Sequence, residues 1–199
     1  MKKLTSTLFI IFLIFSAKAL AADNEMVKRI SEGEESAKIT IIAYESLTCG
    51  HCANFHKDVY PELKKDFIDK GLVKIEFRHF PLDLAAFNAS KVAHCKNDGK
   101  SEILHFLFEN QEKWVKGETI DQLNKNLKYL IKSENLNIDF DKCTNNKNIE
   151  DFVINERIEG VKKYKVNSTP TIIINEEKFE KTINFKNIKK IMTKSLIKP

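Results

Sequence analysis

A buried strand that passes directly into a helix limits the fold of this chain more than any other feature of the sequence. Residues 39–44 are apolar and mostly β-branched, and the polar residues Ser46 and Thr48 follow them, which is typical of a strand inside a sheet. Thr48 is in position to cap a helix, Pro61 is expected to kink that helix, and Gly71 is expected to end it. The apolar positions of the helix recur at helical spacing and are Phe55, Val59, Leu63 and Phe67.

The segment after Gly71 has the period-two pattern of a second strand. Residues 73–80 alternate apolar and charged side chains, and Pro81 closes the segment. Strand, helix and strand in this order predict a right-handed crossover, which places the two strands parallel in one sheet.

A long helical segment divides the predicted sheet. From about residue 84 to 164 the apolar residues recur at helical spacing, which we interpret as a helical insertion. Residues 171–174 are predicted to form a third strand, residues 178–180 can return antiparallel to it, and a closing helix capped by Asn184 follows. The predicted fold class is α/β, with a helical domain inserted between a βαβ half and a ββα half.

The N-terminus has the three parts of a secretory signal. Two lysines provide the positive start, residues 8–15 the apolar run, and residues 19–21 the small-residue cleavage site. We therefore predict a signal peptide over residues 1–21 and one domain over residues 22–199, with an uncleaved membrane anchor as the alternative.

The charge of the chain gives no support for a nucleic-acid partner. Removal of the signal lowers the net charge from +5 to +2, because Lys2, Lys3 and Lys18 leave with it. The remaining lysines are interleaved with Glu and Asp, whereas nucleic-acid binding proteins gather basic residues in a patch or stripe.

Two cysteines lie where the first strand gives way to its helix, in the run Cys49-Gly50-His51-Cys52. Cys49 is at the predicted helix N-terminus, where unpaired N–H groups and the positive end of the helix dipole favour a thiolate. Cys52 lies one turn further in, which suits a thiol that resolves a mixed disulfide. An imidazolium at His51 would stabilise the thiolate and therefore the reduced form of the pair.

The same pair of cysteines has two other interpretations, a static disulfide or half of a zinc site. The other two cysteines, Cys95 and Cys143, are far apart in the sequence, and haem attachment would need His where Ala53 stands. The order strand, CxxC, helix favours a redox pair, and we predict neither a metal nor an organic cofactor. Packing or surface roles are expected for the remaining histidines, which are His56, His79, His94 and His105.

Three segments of the chain, together with the helical insertion, resemble the DsbA-like branch of the thioredoxin-fold oxidoreductases. These segments are residues 46–52, the run Phe80-Pro81-Leu82 and the run Ser168-Thr169-Pro170-Thr171. The resemblance implies a thioredoxin-like fold with Cys49, His51 and Cys52 at the redox site. It also implies a cis bond between Thr169 and Pro170 that faces this site and exposes the Thr169 backbone to an extended substrate.

The chain departs from the family pattern before the cysteine pair. The buried acid that many relatives carry six residues before the first Cys is Ala43 here. Glu45 is on the same strand face, and we expect it to be an exposed residue at the strand end, with replacement of the family acid as the alternative. Threonine before the proline, as in Thr169, is frequent in the isomerase and reductase branches of the family. The direction of catalysis is therefore open. The resemblance also implies a second disulfide between Cys95 and Cys143, with two buried free thiols as the alternative.

The predicted function is that of a periplasmic thiol:disulfide oxidoreductase that introduces disulfide bonds into exported proteins. The resemblance implies unfolded or reduced exported proteins as substrates and a membrane oxidase that restores the disulfide of Cys49 and Cys52. A monomer is expected, since only a short segment precedes the first predicted strand. The alternatives are a disulfide isomerase or reductase of the same fold, and a binding protein or metal carrier without enzymatic activity.

Overall fold

The structure, a computed structural model, describes residues 26–197, so the predicted signal peptide lies outside it. The strands in those residues are β1 (Ile30–Glu32), β2 (Ile39–Glu45), β3 (Val73–His79), β4 (Thr171–Ile174) and β5 (Glu177–Lys178). The helices are α1 (Gly50–Asn54), α2 (Tyr60–Leu63), α3 (Leu84–Ala93), α4 (Glu102–Glu109), α5 (Gln111–Trp114), α6 (Ile120–Ser133), α7 (Phe140–Thr144), α8 (Lys147–Tyr164) and α9 (Phe185–Ile197).

The strands form one sheet in the order β1, β3, β2, β4, β5. β2 and β3 are parallel, as predicted, and the other neighbouring strands are antiparallel. β2 is the central strand, and all of its residues except Thr40 are buried. The sequence does not predict β1, because three residues are too few to show a periodic pattern.

The helical segment between β2 and β3 is irregular around Pro61. π-helical turns at Phe55–Val59 and Lys64–Ile68 lie on either side of α2, and Pro61 is in the first turn of α2. Proline has no N–H to donate to the preceding turn, which accounts for a break in the regular helix at this point. Gly71 follows with a φ of 68°, a left-handed conformation that glycine adopts without strain, and the chain turns into β3.

The helical insertion confirms the predicted fold class, since α3 to α8 occupy the chain between β3 and β4. Four of its helices, α3, α6, α7 and α8, have side-chain N-caps; for example, the Asp83 carboxylate accepts a 2.7 Å hydrogen bond from the Ala86 N–H at the start of α3. A disulfide joins Cys95, just after α3, to Cys143 in α7, with their Cα atoms 5.3 Å apart. The predicted second disulfide is therefore confirmed.

One glycine allows the longest helix of the insertion to approach the centre of the sheet. Gly160 of α8 lies against the ring of Tyr44 in β2, and a Cβ at this position would be 2.7 Å from a ring carbon. Tyr44 is fully buried beneath the helix, and its hydroxyl accepts a 3.2 Å hydrogen bond from Arg78 of β3. This contact fixes α8 over the face of β2 and β3.

The closing helix α9 contributes side chains to the core. Ile188 and Met192 of α9 are fully buried, and the Asn184 side chain accepts a 2.9 Å hydrogen bond from the N–H of Asn187, as the predicted cap requires. None of the helices in residues 26–197 combines the length and the apolar character that crossing a membrane requires.

Candidate active site

Cys49 and Cys52 lie where β2 leads into α1, and both are unbridged. Cys49 occupies the N-cap position of α1 with extended backbone angles, φ −82° and ψ 116°, and its side chain is partly exposed. Cys52 is fully buried in the hydrophobic core. Thr48 was expected to cap this helix, but it lies one residue too early, and its hydroxyl donates instead to the Asp83 carboxylate at 2.6 Å.

The two thiols have opposite acidities. A hydrogen bond from the Cys52 thiol, together with others from the backbone N–H groups of His51 and Cys52, outweighs burial and lowers the pKa of Cys49 to about 5. Burial raises the pKa of Cys52 well above its ordinary value, and the neighbouring Cys49 and Glu45 raise it further. Near neutral pH the pair therefore holds one thiolate, on the exposed sulfur, and one thiol, on the buried sulfur.

The peptide bond between Thr169 and Pro170 is cis, as the resemblance implies. It faces the cysteine pair, because the Cys49 thiol lies 3.4 Å from the Thr169 carbonyl oxygen. A groove of about 690 Å³ adjoins this point and is lined by the His51 side chain, Thr169, Pro170 and the segment 181–185. The structure thus brings all five residues that the sequence marks out into one region.

The side chain of His51 is exposed beside the cysteine pair. Its backbone N–H group is one of the donors that lower the pKa of Cys49, after the leading contribution of the Cys52 thiol. The effect of its imidazole on the thiolate stays a prediction.

Gln111 holds the loop before Cys49 and was not recognised from the sequence. Its buried side-chain amide donates to the carbonyl oxygens of Leu47 and Cys49, at 2.8 Å and 3.2 Å. On the other side of the loop, the Ser46 hydroxyl accepts a 3.2 Å hydrogen bond from the N–H of Leu82. The loop is thereby fixed to the helical insertion and to the end of β3.

Glu45 is buried, and the expectation that it would be exposed at the strand end was wrong. Only 2% of its surface is accessible, and its carboxylate lies against His56 of the π-helical turn at Phe55–Val59. One carboxylate oxygen, Oε2, is 2.9 Å from Nε2 of His56, while Oε1 is buried and has no hydrogen-bond partner in residues 26–197. Glu45 is also among the groups that raise the pKa of Cys52.

A chain of hydrogen bonds continues from Glu45 through His56 and His105 to Glu32 of β1. Nδ1 of His56 is 2.9 Å from Nδ1 of His105, and Nε2 of His105 is 2.8 Å from Oε1 of Glu32. Burial raises the pKa of Glu32, but hydrogen bonds led by that of His105 outweigh it and lower the pKa to about 2. The chain thus ends at an ionised, partly exposed carboxylate, whose Oε2 lies 3.3 Å from the Lys64 ammonium.

Glu32, Glu45, His56 and His105 form this hydrogen-bonded chain. They come from different parts of the sequence, so no local motif indicates them. His56 stacks on Phe108 with ring centroids 4.1 Å apart, and His105 stacks on Tyr60 at 4.3 Å. The packing roles expected for these two histidines are present, and the hydrogen bonds between them are an addition that only the tertiary structure reveals.

Comparison with known proteins identifies the family of the chain. A thioredoxin family model matches residues 25–194. The chain belongs to the thioredoxin family. Within that family it is similar to alpha-DsbA1 of Wolbachia pipientis, with a TM-score of 0.74 and 28% identity over 86% of this chain and 94% of that one. The DsbA-like resemblance and the thioredoxin-like fold with a helical insertion are confirmed.

Curated relatives of this thioredoxin-family chain carry names from disulfide chemistry. Disulfide bond formation protein D of Bacillus subtilis is 29% identical over 174 residues, which are 82% of this chain and 75% of that protein. A protein of Rickettsia prowazekii named as a protein-disulfide oxidoreductase is 29% identical over 178 residues, which are 87% of this chain. The chain spans 62% of the length of that relative and 54% of the length of its counterpart in Rickettsia conorii.

Proposed function

We propose that the protein is an exported thiol:disulfide oxidase that transfers the disulfide of Cys49 and Cys52 to reduced secreted proteins. The observation that carries this proposal is the contrast between an accessible thiol with a pKa of about 5 and a buried thiol with a raised pKa, one helical turn apart. A thiolate that is stable when the pair is reduced makes the disulfide a strong oxidant.

The reaction consists of two exchanges. A substrate thiolate attacks Sγ of Cys49, which forms a mixed disulfide and breaks the bond to Cys52; Cys52 leaves as a thiolate and takes up one proton. A second substrate thiolate attacks the substrate sulfur of the mixed disulfide, and Cys49 leaves as a thiolate. The substrate loses two electrons and gains a disulfide, and the Cys49 and Cys52 pair gains the same two electrons.

Glu45 is in position to supply the proton that Cys52 takes up. The thiolate of Cys52 is costly in the apolar interior, as its raised pKa shows, so its departure needs a nearby acid. The unpartnered Oε1 of Glu45 is the candidate atom, since Oε2 is occupied by His56. In the reverse step, when the pair is reoxidised, the same oxygen takes the proton back.

The hydrogen-bonded chain lets Glu45 change its protonation without losing a contact. Its three bonds, Glu45 to His56, His56 to His105 and His105 to Glu32, are all satisfied when the chain holds three protons. One arrangement has two ionised carboxylates and one imidazolium, and another has a neutral Glu45 with two neutral imidazoles. Transfer of protons along the bonds converts one into the other, and Glu32 connects the chain to solvent.

Substrates are proposed to bind as extended segments beside the cis bond. The groove along Thr169 and Pro170 adjoins Cys49, so a segment paired with the Thr169 backbone would hold its cysteine near Sγ of Cys49. His51 lies at the edge of the same groove. In this scheme Cys49 and Cys52 carry the chemistry, and His51, Thr169 and Pro170 position the pair and the substrate.

Export to an oxidising compartment is supported by two features. The sequence has the pattern of a signal peptide over residues 1–21, and Cys95 and Cys143 form a disulfide of the kind that persists outside the cytosol. We accordingly propose a periplasmic location, residues 22–199 as the mature domain, a monomeric state, and a membrane oxidase that restores the disulfide after each turnover.

The direction of catalysis is tested by the reduction potential of the Cys49 and Cys52 pair, measured by equilibration with glutathione while the disulfide of Cys95 stays closed. Oxidases of this type have potentials near −120 mV and thioredoxin-type reductants have potentials of about −270 mV. A value near the first, with oxidative refolding of a reduced substrate, is expected. A value near the second, with strong insulin reduction, would replace the oxidase by the isomerase or reductase alternative.

A further inference from the structure

A second cluster of ligating side chains lies away from the redox pair, at the end of β3. His79 ends that strand, His94 follows α3, and Glu156 lies in the middle of α8. One ligating atom from each of the three residues lies within 4.8 Å of those of the other two. All three side chains are buried, with accessible fractions of 1%, 2% and 2% in that order. The function described above makes no use of them.

These side chains share an unusual feature for buried polar groups. Nε2 of His79, Nε2 of His94 and Oε1 of Glu156 have no hydrogen-bond partner among residues 26–197. Buried polar atoms are nearly always paired, because an unpaired one loses its hydrogen bonds to water without replacement. Three unpaired ligand atoms that converge on one point therefore call for an occupant.

The other atoms of the cluster are held in place. Oε2 of Glu156 accepts a 2.8 Å hydrogen bond from the backbone N–H of His79. The two imidazole rings meet edge to face, 4.9 Å apart, and His94 also packs against Phe152. The unpaired atoms are thus oriented by contacts on their opposite sides.

Glu156 has the weakest ion pairing of the carboxylates near the cluster. The Arg78 guanidinium is 2.8 Å from Glu159 and 2.7 Å from Glu76, and Arg29 is 3.0 Å from Glu159. The cation nearest to Oε1 of Glu156 is Arg29, at 3.8 Å, and Arg29 is 42% exposed and can turn towards solvent. The buried carboxylate therefore has room for a closer positive partner.

We propose that His79, His94 and Glu156 bind a divalent transition-metal ion, for which Zn²⁺ is the best match. Two imidazole nitrogens and one carboxylate oxygen form a known zinc ligand set, with water in the fourth position. Bonds of about 2.0–2.1 Å in a tetrahedron place ligand atoms about 3.3 Å apart, so the side chains must close by roughly 1 Å or more. Mg²⁺ and Ca²⁺ are poor candidates, because they prefer oxygen ligands alone.

The buried position gives such an ion a structural role. His79 ends β3, His94 directly follows the first helix of the insertion and Glu156 lies in its last helix, so the ion would tie the insertion to β3. It is inaccessible to a substrate, and it would stabilise the folded chain in proportion to the free zinc concentration.

The test uses the full mature chain in its oxidised form, in which the cysteines cannot bind zinc. Equilibrium dialysis against ZnCl₂ followed by elemental analysis is expected to give one zinc ion per chain, with a higher Tm in zinc than in chelator. Glu156→Gln, which keeps an oxygen for the His79 N–H, and His94→Asn are expected to weaken zinc binding at least tenfold. The control His51→Gln changes an exposed histidine and is expected to bind zinc like the wild type.

Two results would overturn the proposal. One is dialysis of the wild type that yields no bound zinc, and the other is binding that Glu156→Gln and His94→Asn leave unchanged while circular dichroism shows both variants folded. If either variant does not fold, X-ray absorption of the zinc-loaded wild type decides. A shell of nitrogen and oxygen at about 2.0–2.1 Å with imidazole scattering supports the site, and a sulfur shell near 2.3 Å contradicts it.

Discussion

Two pairs of cysteines in this chain are held in opposite ways. Cys95 and Cys143 are bridged between two helices of the insertion, and the chain between them spans 48 residues. Cys49 and Cys52 are unbridged within one helical turn, with one sulfur partly exposed and the other buried. The bridge between Cys95 and Cys143 closes a long loop, and both residues lie in the core or pack against it. A bridge between Cys49 and Cys52 would close a very short loop beside the groove.

The difference shows that the surroundings of a thiol, rather than its presence, decide between a structural and a reactive role. Cys49 has hydrogen bonds from Cys52 and from backbone N–H groups that lower its pKa to about 5, and the cis peptide bond of Thr169 faces it. Cys143 is 1% exposed, so no substrate sulfur can approach it in line. Experiments on each cysteine pair can test whether one is reactive and the other structural.

The largest expected effect is the loss of activity when Cys49 is removed. Cys49→Ser should abolish oxidative refolding of a reduced substrate, because no other sulfur near the groove is accessible to attack. The double variant Cys95→Ala/Cys143→Ala, assayed at a temperature where it is folded, should retain most of the activity. Comparable losses in both proteins would remove the distinction between the pairs.

The second prediction concerns stability. Opening the loop of 48 residues by Cys95→Ala/Cys143→Ala should lower the free energy of unfolding by up to about 4 kcal/mol on the chain-entropy estimate. Denaturant unfolding of the variant against the wild type, with Cys49 and Cys52 in the same redox state in both, measures this difference. A change below about 0.5 kcal/mol would show that the bridge does not constrain the unfolded chain.

The third prediction addresses the proton of the buried thiol. Glu45→Gln should slow the exchange steps in which Cys52 gains or loses its proton by about tenfold to a hundredfold, a size that general acid–base catalysis allows. Stopped-flow fluorescence with a reduced peptide measures the rate. Glu109→Gln changes an exposed carboxylate of the neighbouring α4 and should have no effect. Equal rates in Glu45→Gln and wild type would remove Glu45 from the mechanism.

The fourth prediction is a pH dependence of stability in the reduced protein. The pKa of Cys49 is about 5 in the folded chain and near its ordinary value of 9 when unfolded, so ionisation stabilises the fold. This contribution is complete above pH 9 and is lost as the pH falls towards 5. The difference in unfolding free energy between reduced wild type and reduced Cys49→Ser should therefore increase with pH over this range, and a flat difference would contradict the lowered pKa.

The parts of the fold that local patterns determine could be predicted from the sequence. The strand at residues 39–44, the alternation of the next strand and the Asn184 cap each depend on neighbours within a few residues. β1 was missed because Ile30–Glu32 has no pattern and is held only by its pairing with β3. Thr48 was assigned the cap position because the sequence cannot show where the first turn begins.

The site could be predicted only as far as its motifs extend. The cysteine pair and the cis bond follow from short runs and a family resemblance. The burial of Glu45 and its bond to His56 depend on how the helical segment after β2 folds back over the end of that strand. The role of Gln111 depends on the packing of α5, which is more than 60 residues away from the loop in the sequence. The cluster of His79, His94 and Glu156 is likewise a product of tertiary structure, since its members come from three separate elements.

The most direct test of the account is a pH titration of the thiolate absorbance of the reduced protein with the disulfide of Cys95 and Cys143 closed. The account predicts one ionisation with a midpoint near pH 5, absent in Cys49→Ser, and no ionisation of Cys52 below pH 9. A midpoint near 9 for Cys49, or an equal acidity of the two thiols, would contradict the claim that the helix start and the Cys52 thiol create a reactive thiolate.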